Sequence, residues 1–350
     1  MDRFKYKVEL HVHLDGAVRP QTVLELSKER GIDMPHENLE EFKKDVVVYE
    51  PNSLIAVLEC FKIFMPVIAG CPKAIDRIAY EFCEDCSKHN IKYVETRYCP
   101  HLLANTADKP EYAIEKGNVS PRDVVSIVCS ALERGSRDFG ITVKSILCGM
   151  THRPEWSLEI VALCKEFKSH GVVAIDLAGE DFKPGVEPNE CLHKQAFKEA
   201  YDAGIHRTVH AGENGPAEGV KEALDHMKAE RIGHGYHVLD DEELYQRCLK
   251  DHVHFEVCPI SSIRTKGVSS DLSKHPLLRF VEDGANYSIN TDDPVVLDNN
   301  LDEDYDMAMT MGLSEEQIIV SIFNAARASF APDSEKAQMI KDLISVYGEH

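Results

Sequence analysis

Two histidines near the amino terminus have the spacing of metal ligands. The segment VELHVHLDG places His11 and His13 two residues apart in a run of β-branched and apolar residues. Side chains two apart on a β-strand project from the same face, so we expect both imidazoles to point the same way. Imidazole nitrogens are common zinc ligands, and this pair can supply two vertices of a zinc site. The alternative is a pair of partly buried histidines whose ring nitrogens are satisfied by hydrogen bonds.

Three later segments carry groups of the same kind. His210 and Glu213 lie in HAGE, His234 lies between two glycines in GHGYH, and Asp292 and Asp293 lie in NTDDP. Each has a plain structural explanation: Glu213 can be a solvated loop acid, His234 a core histidine, and the aspartate pair a helix N-cap. However, all of these segments lie at the C-terminal ends of predicted strands. That shared position is the argument for a single site.

The elements that must position these groups form a repeating pattern. Runs rich in β-branched and apolar residues predict strands over 7–13, 91–98, 141–149, 172–179, 206–212, 231–237, 254–260 and 286–292. Helical periodicity between them predicts helices over 123–137, 155–170, 217–229 and 241–251. Eight alternating units favour a TIM-type (β/α)8 barrel, whose chemistry lies at the C-terminal ends of the strands. An open doubly wound sheet is the second possible fold. It is less favoured because that fold usually has a glycine-rich phosphate loop after the first strand, where this chain has HVHLDG.

The barrel is expected to carry extra helices after the first strand and at the C-terminus. Residues 14–90 are long enough for several helices. Within them, four apolar residues have helical spacing: Leu54, Val57, Leu58 and Phe61. We interpret this insert as a helical cap over the barrel mouth, with a helix packed on the barrel side as the plainer alternative. Ser314 and Gln317 form an S-x-x-Q capping box that predicts a C-terminal helix. No repeat or flexible linker interrupts the chain, so residues 1–350 are predicted to form a single metal-dependent hydrolase domain.

Composition limits the partners. The net charge of −21 repels phosphate backbones and anionic headgroups, which makes nucleic acid and acidic membranes poor partners. Eleven cysteines without regular spacing predict a reduced, intracellular chain. The first residues, MDRFKYKVEL, lack the apolar core of a secretory signal. No run approaches the roughly 18 apolar residues of a membrane span. A cytoplasmic protein with no membrane insertion is therefore predicted.

The predicted cluster suggests one metal and one acid. Three histidines and one carboxylate leave an open position on zinc, where the pKa of a bound water falls to about 7. The segment VVAIDLAG (172–179) offers no lysine that could bridge a second metal. Glu213 is available as a proton donor if a dry site raises its pKa. These features suit hydrolytic attack on an sp² carbon that loses a neutral amine.

Motifs along nearly the whole chain resemble one known family. From residue 7 to beyond residue 320 the chain contains, in order, the segments VELHVHLDG, MPVIAGC, YVETRY, KSILCG, VVAIDLAG, GIHRTVHAGE, ERIGHGYH, NYSINTDDP and NAA. With these motifs the sequence resembles the adenosine deaminase family of the amidohydrolase superfamily, in the form of the cytosolic animal enzyme.

The resemblance assigns roles to the same residues. It implies one Zn²⁺ per chain, held by His11, His13, His210 and Asp292. It implies that Glu213 protonates the purine ring nitrogen next to the reacting carbon. His234 would orient the attacking hydroxide, and Asp292 would also take its proton.

The remaining implied roles concern the substrate, a small-molecule purine nucleoside. Asp293 would bond the imidazole-ring nitrogen that faces it, and the N–H of Gly179 would contact the far pyrimidine nitrogen. Asp15 with His13 would hold the ribose 5′-hydroxyl. The implied reaction converts adenosine and 2′-deoxyadenosine to inosine and 2′-deoxyinosine plus ammonia, in purine metabolism and salvage. A monomer is expected.

Two other functions are compatible with parts of the sequence. A nucleotide substrate such as AMP or N6-alkylated AMP would need basic groups, and only Arg97, Arg153 and Lys183 are expected near the mouth. A catalytically silent relative would be expected to lack a ligand or the acid, whereas this chain has all of them.

A different zinc deaminase motif is also present in fragments. His254 and Glu256 form an H-x-E, and Cys83 and Cys86 form a C-x-x-C. The order is the reverse of the cytidine-deaminase arrangement, and the two cysteines have the spacing of a helical core face. The match is therefore interpreted as accidental.

The sequence departs from the family in three places. Ile260 and Ile263 stand where aromatic residues are expected, and Cys99 stands in RYCP where RYSP is expected. The loop EDFKPG at 180–185 is slightly altered in length. These changes were expected to affect only packing at the rim.

Overall fold

A barrel of eight parallel strands forms the centre of the molecule. The computed structural model describes residues 3–180 and 191–350, so Lys183 and most of the EDFKPG loop lie outside the described residues. Each strand pairs in parallel with the next, in the order β1 to β8. The strands are β1 (Lys7–His13), β2 (Ile91–Tyr98), β3 (Thr142–Met150), β4 (Val172–Ala178), β5 (His206–Ala211), β6 (Arg231–His234), β7 (His254–Val257) and β8 (Asn286–Ile289).

The barrel closes where the chain beyond β8 meets β1. Val12 and Asp292 form a parallel bridge. The His13 N–H donates to the Asp292 carbonyl at 2.8 Å, and the Asp292 N–H donates to the His11 carbonyl at 3.1 Å. The predicted TIM-type barrel is confirmed, and the open doubly wound sheet is wrong.

The predicted strand bounds are accurate for the first five strands and too long for the last three. The structure ends β6 at His234, β7 at Val257 and β8 at Ile289. Gly235 follows β6 in the left-handed region with φ 76° and begins a short 3₁₀ helix. Pro259 begins a helix directly after β7. The chain therefore leaves the sheet earlier than strand propensity predicts, and the residues that follow turn across the mouth.

The helices include the predicted extra ones. In chain order they are α1 (Pro20–Arg30), α2 (Leu39–Val46), α3 (Leu54–Glu59), α4 (Phe61–Ile68), α5 (Pro72–Lys88), α6 (Pro100–Leu103), α7 (Pro121–Phe139), α8 (Ser157–Glu166), α9 (Leu192–Asp202), α10 (Ala217–Asp225), α11 (Glu242–Lys250), α12 (Pro259–Arg264), α13 (Pro276–Glu282), α14 (Pro294–Leu297), α15 (Leu301–Met311), α16 (Glu315–Ala328) and α17 (Asp333–Tyr347). Among the helices of residues 3–180 and 191–350, no single one is long and apolar enough to cross a membrane, although α3–α4 and α5, bent by 118°, pass the same test of length and composition as a pair.

Local capping chemistry explains where several helices begin. The predicted capping box is present, since Ser314 accepts from the Gln317 N–H and Gln317 accepts from the Ser314 N–H. The helix predicted over 54–61 breaks at Cys60 into α3 and α4, so that prediction was too simple. Cys83 and Cys86 are buried on α5, as their helical spacing predicts.

One buried histidine caps a helix and makes stability depend on pH. His275 Nδ1 accepts from the Leu277 N–H at 3.1 Å, and Nε2 lies 2.9 Å from Ser262 Oγ. Burial lowers the pKa of His275 from 6.5 to about 4. The unfolded chain therefore takes up the proton first, and stability from this group falls as pH drops from 6.5 towards 4.

We expect His275→Asn to reduce this acid sensitivity. Asparagine caps a helix without titrating, so the variant should lose about 3 kcal/mol less stability than the wild type between pH 7 and pH 4. Urea unfolding at several pH values measures how the free energy of unfolding changes with pH. The pH-independent cost of the smaller side chain cancels when these slopes are compared. His170→Asn, at an exposed position, serves as the control. Parallel slopes for wild type and His275→Asn would contradict the assignment.

Candidate active site

Four predicted ligands meet at the C-terminal end of the barrel. The ring nitrogens of His11, His13 and His210 and a carboxylate oxygen of Asp292 all lie within 4.8 Å of one another. His13 Nε2 lies 3.2 Å from His210 Nε2. Asp292 Oδ1 lies 3.2 Å from His11 Nε2 and 3.4 Å from His13 Nε2. The residues come from three distant parts of the sequence and form one compact donor set.

The electrostatics differ between the ligands of this set. Burial is the main reason that the pKa of His13 is well below its usual value. Burial and Arg97 lower the pKa of His11, but Asp292 and Glu256 outweigh them and raise it above its usual value. Burial would raise the pKa of Asp292, but the histidines around it, His11 first, hold it well below its usual range. Neutral imidazoles and an ionised carboxylate are the forms that bind metals. His11 Nε2 is buried and, within the described part of the chain, makes no hydrogen bond.

The opposite ring nitrogens are fixed by carboxylates. His11 Nδ1 lies 2.7 Å from Glu256 Oε2, and His210 Nδ1 lies 3.1 Å from Asp176 Oδ2. Donation from Nδ1–H to these carboxylates leaves the Nε2 lone pairs facing the cluster. Neither acid is predicted as a site residue from the sequence. The sequence feature that points to Asp176 is an acid inside the otherwise apolar strand β4, whereas Glu256 lies in the short strand β7 between Phe255 and Val257.

The two acids are joined by a buried guanidinium. Arg97 donates to Glu256 at 2.7 Å and to Asp176 at 3.0 Å, and its side chain is fully buried. Arg231 donates to the other oxygen of Glu256 at 2.7 Å. The expectation that Arg97 lies near the mouth was wrong. Its side chain points into the barrel, where paired carboxylates stabilise it.

Arg97→Met is expected to lower the free energy of unfolding by about 3–5 kcal/mol. Removing one partner of a buried charge cluster leaves the remaining carboxylates uncompensated. Arg153→Met is the matched control, because Arg153 pairs with Glu111 at the partly exposed rim, where an ion pair contributes about 0–1 kcal/mol. Urea denaturation measures both. A loss below about 1 kcal/mol for Arg97→Met would contradict the importance of the network.

The predicted acid and histidine lie beside the donor set. His234 Nε2 lies 3.6 Å from Glu213 Oε2 and 3.8 Å from Asp292 Oδ2. Burial holds the pKa of His234 well below its usual value, so its ring is neutral. Ser261, which is not among the predicted site residues, donates to Asp292 Oδ2 at 2.7 Å. The three predicted catalytic side chains thus face a common point.

Two of these residues have unusual backbone conformations. His234 and Asp292 have φ values of 64° and 71°, in the left-handed region that L-residues seldom occupy. Such strain costs about 1–3 kcal/mol for each residue and concentrates at functional sites. The turns that end β6 and continue β8 therefore aim these side chains across the mouth.

The predicted substrate residues line the same cavity. Its volume is about 80 Å³. The predicted site residues that line it are His13, Asp15, Gly179, His210, Glu213, His234, Asp292 and Asp293. The predicted cap residues Leu54, Val57, Leu58 and Phe61 also line it. These four residues lie beside the predicted site, and both the helical cap over the mouth and the chemical roles stay predictions.

Two buried acids that line this cavity each have a carboxyl oxygen without a hydrogen bond among the described residues. In the described part of the chain, Asp15 Oδ1 and Asp293 Oδ1 have no hydrogen-bond partner. Burial raises the pKa of Asp15 to about 7 and that of Asp293 well above its usual value, with Asp292 adding to the latter. A side chain at Gly16 would collide with Asp293, because its Cβ would lie 1.8 Å from Oδ1. Asp293 is the N-cap residue of α14, but its side chain makes no capping hydrogen bond, so helix capping does not account for the buried carboxyl.

The departures from the family pattern lie deeper than expected. Cys99 is buried and lines the inner cavity, as does Cys148. Ile260 is buried, with its N–H donating to Asp304 at 3.0 Å. The expectation that these changes affect only the rim was wrong for Cys99. The Cys99 side chain contributes directly to the cavity wall.

The scattered H-x-E and C-x-x-C residues do not form a site. His254 bonds to Asn286 and Ser288 below the donor set, while Cys83 and Cys86 lie in α5. The interpretation of this motif as accidental is confirmed.

Comparisons with known proteins agree across the chain. The family model for adenosine deaminase matches residues 6–346. Adenosine deaminase of Gallus gallus is 48% identical over 344 residues, covering 98% of this chain and 95% of that protein. Adenosine deaminase of Mus musculus is 48% identical over 347 residues, covering 98% and 97%.

Solved structures give the same result. Adenine deaminase from Arthrobacter aurescens superposes with a TM-score of 0.84 at 25% identity, covering 99% of this chain and 100% of that one. An amidohydrolase from Burkholderia ambifaria with bound Zn gives 0.82 at 26% identity, covering 97% and 90%. The N6-mAMP deaminase of Arabidopsis gives 0.80 at 27% identity, covering 97% and 98%.

Proposed function

The chain belongs to the adenosine deaminase family, and we propose that it hydrolyses adenosine and 2′-deoxyadenosine to inosine and 2′-deoxyinosine with release of ammonia. The observation that carries this proposal is the convergence of a four-membered donor set with Glu213 and His234 at the barrel mouth. Such a site suits the hydrolytic loss of an amine in purine metabolism and salvage. The whole chain, residues 1–350, is proposed to act as one domain.

One Zn²⁺ per chain is proposed to occupy the donor set of His11, His13, His210 and Asp292. Three imidazoles and one carboxylate are typical zinc ligands, and the buried Nε2 of His11, which lies 3.2 Å from Asp292 Oδ1, supports their use. A relative of known structure binds Zn. When bound, zinc supplies a water whose pKa is near 7, so that it can attack at neutral pH.

Glu213 is proposed to donate the proton that activates the purine. Its side chain is buried beside His234, in a cavity that the cap residues line. Protonation of the ring nitrogen next to the amino-bearing carbon weakens the aromatic character of that bond and favours addition of water. The carbon–nitrogen bond to the amino group then breaks, and the amino group leaves as ammonia with the proton that Asp292 took from the attacking water. The hydroxyl proton of the adduct passes to Glu213, which leaves a carbonyl at the reacting carbon.

His234 and Asp292 are proposed to orient the attacking water. The neutral ring of His234 presents Nε2 to a point shared with Glu213 and Asp292. Asp292 is ionised and accepts from Ser261 through Oδ2, which fixes the carboxylate so that it can take the proton of the water. Positioning of this kind lowers the entropy cost of the attack.

The nucleoside is proposed to bind through the cavity acids. Asp293 would bond the imidazole-ring nitrogen, Gly179 N–H the far pyrimidine nitrogen, and Asp15 with His13 the 5′-hydroxyl. The unused Oδ1 atoms of Asp15 and Asp293 support this assignment. Apolar cap residues around the base would exclude water from the reacting carbon.

A nucleotide substrate is the second candidate, because an N6-mAMP deaminase has the same fold. A phosphate needs basic partners, and none of the described residues that line the inner cavity is lysine or arginine. Lys62 and His152 line only an outer cavity of about 510 Å³. The three acids Asp15, Glu213 and Asp293 offer no positive charge to pair with a phosphate. The lack of a cationic partner among the described lining residues supports a nucleoside.

A purine assay tests the proposal. We expect the zinc-loaded chain to convert adenosine to inosine at a rate at least tenfold above that for AMP. A chelator should abolish the activity, and added zinc should restore it. A preference for AMP would favour the nucleotide function, and a folded, zinc-loaded protein that deaminates neither compound would contradict the proposal.

The compartment and assembly are proposed from chemistry. All eleven cysteines are free thiols, which suits the reducing cytoplasm. We propose a cytoplasmic monomer. Sedimentation at several concentrations measures the assembly, and a constant dimer mass would contradict that part.

A further inference from the structure

The first strand carries an irregularity next to a metal ligand. Glu9 pairs with Val94 on β2, and Val12 pairs with Thr96, so three steps along β1 match two steps along β2. The extra residue forms a β-bulge at Leu10 and His11. Bulges bend a strand and redirect its side chains, and they occur often beside active sites.

The side chain of Asn290 caps this bulge. Its Oδ1 accepts from the Leu10 N–H at 2.9 Å and from the His11 N–H at 3.2 Å. Its Nδ2 donates to the Val257 carbonyl at 3.2 Å and to the Ser288 carbonyl at 3.3 Å. Asn290 is fully buried. One amide therefore connects β1, β7 and the chain beyond β8.

A second contact, from Glu9 of β1, joins the same two parts of the chain in the opposite direction. Glu9 Oε1 accepts from the Thr291 N–H at 3.0 Å and from Thr291 Oγ1 at 2.7 Å. Glu9 of β1 therefore fixes Thr291, which precedes Asp292, and Asn290 fixes the backbone of Leu10 and His11. Both sets of hydrogen bonds lie where the barrel closes, beside the proposed zinc ligands His11 and Asp292.

The bulge decides where His11 points. Strict alternation would place Glu9 and His11 on one face of β1. Instead, Glu9 and Val12 line a cavity beside α5, while His11 joins the donor set. Glu256 fixes the far nitrogen of the His11 ring. The backbone on which that ring is mounted is fixed by Asn290.

We propose that Asn290 is a positioning residue for the metal centre. By accepting both N–H groups of the bulge, it holds the backbone conformation that aims His11 Nε2 at the cluster. It contacts no proposed substrate group and acts only through His11. This inference rests on the proposed zinc-dependent function, because it assigns Asn290 to the zinc affinity of that site.

Zinc affinity of the full-length protein tests the inference. Competition with a chromophoric chelator gives the zinc dissociation constant of the wild type and of Asn290→Ala. We expect the variant to bind zinc about 10- to 100-fold more weakly, the effect common for groups that orient a ligand. Asn290→Asp keeps an oxygen at the same position and, when protonated, a donor as well, so it should bind within about threefold of the wild type.

Asn105→Ala provides the matched control. Asn105 is also buried and accepts a backbone N–H, that of Val119 at 2.9 Å, in a segment outside the described site. The control should lose stability without losing zinc affinity. This comparison separates positioning from a general loosening of the fold.

The outcomes are distinct. The inference would be overturned if Asn290→Ala bound zinc as tightly as the wild type. It would also be overturned if Asn105→Ala lost as much zinc affinity as Asn290→Ala. If Asn290→Ala does not fold, Asn290→Asp decides: retention of zinc supports the role of the acceptor, and a 10-fold or greater loss overturns it. A wild-type protein that binds no zinc would instead defeat the proposed function itself.

Discussion

Glu213→Gln is expected to lower kcat for adenosine by about 10²–10⁴ while the fold and the zinc content stay unchanged. Glutamine has nearly the same shape as glutamate, but its amide cannot deliver an acidic proton to the purine. The site of the change is buried 3.6 Å from His234, so solvent is a poor substitute donor. Steady-state kinetics, metal analysis and circular dichroism measure the three quantities.

A matched change on the exposed face serves as the control. Glu218 lies nearby on α10 and is exposed, so Glu218→Gln should leave kcat within about twofold. Near-normal turnover of Glu213→Gln would remove this carboxyl from the proton transfer. Loss of zinc together with turnover would instead indicate a structural role.

His210→Ala is expected to weaken zinc binding by more than about 100-fold and to abolish turnover, since losing a ligand costs more than losing a group that orients one. His210 supplies one of the four donors, and its Nδ1 is already committed to Asp176. Alanine at this position offers no ligand atom. Inductively coupled plasma analysis after dialysis against a weak chelator measures the zinc retained.

His206→Ala is the control from the same strand. His206 begins β5, its side chain is 42% exposed, and it pairs with Glu230 on the outside of the barrel. It should keep zinc and turnover. Unchanged zinc content in His210→Ala would refute the ligand assignment, even if activity were lost.

The two substitutions separate binding from chemistry. Glu213→Gln should give an inactive protein that retains zinc, whereas His210→Ala should give one that has lost it. If both variants lost zinc, the acid would have to be reassigned to holding the metal. Rescue of His210→Ala by excess zinc would measure how much affinity the ligand contributes.

Much of the fold was predictable because its determinants are local. The alternation of β-branched strands with amphipathic helices predicted eight units and the barrel. The capping box at Ser314 and Gln317 formed as predicted, since it involves only residues three apart. The spacing of His11 and His13 correctly predicted a shared face, although the reason includes a bulge that the pattern does not reveal.

The outer contacts of the site were not predictable from pattern alone. Asp176 and Glu256 each stand as a single acid in a short strand, and neither strand sequence indicates which distant residue its carboxylate pairs with. Their role depends on Arg97, which is 79 residues from one and 159 from the other. For the same reason, Arg97 was wrongly expected at the mouth. Its charge favours the surface unless distant carboxylates meet it inside.

The sequence by itself determined which groups are present, which strands and helices form, and that several reactive groups follow strand ends. Only the tertiary structure decided the left-handed backbone at His234 and Asp292, the bulge capped by Asn290, and the buried carboxylates behind the histidines. The physical reason is range. Periodicity and capping act over a few residues, whereas hydrogen bonds of about 3 Å between distant residues exist only after the barrel has closed.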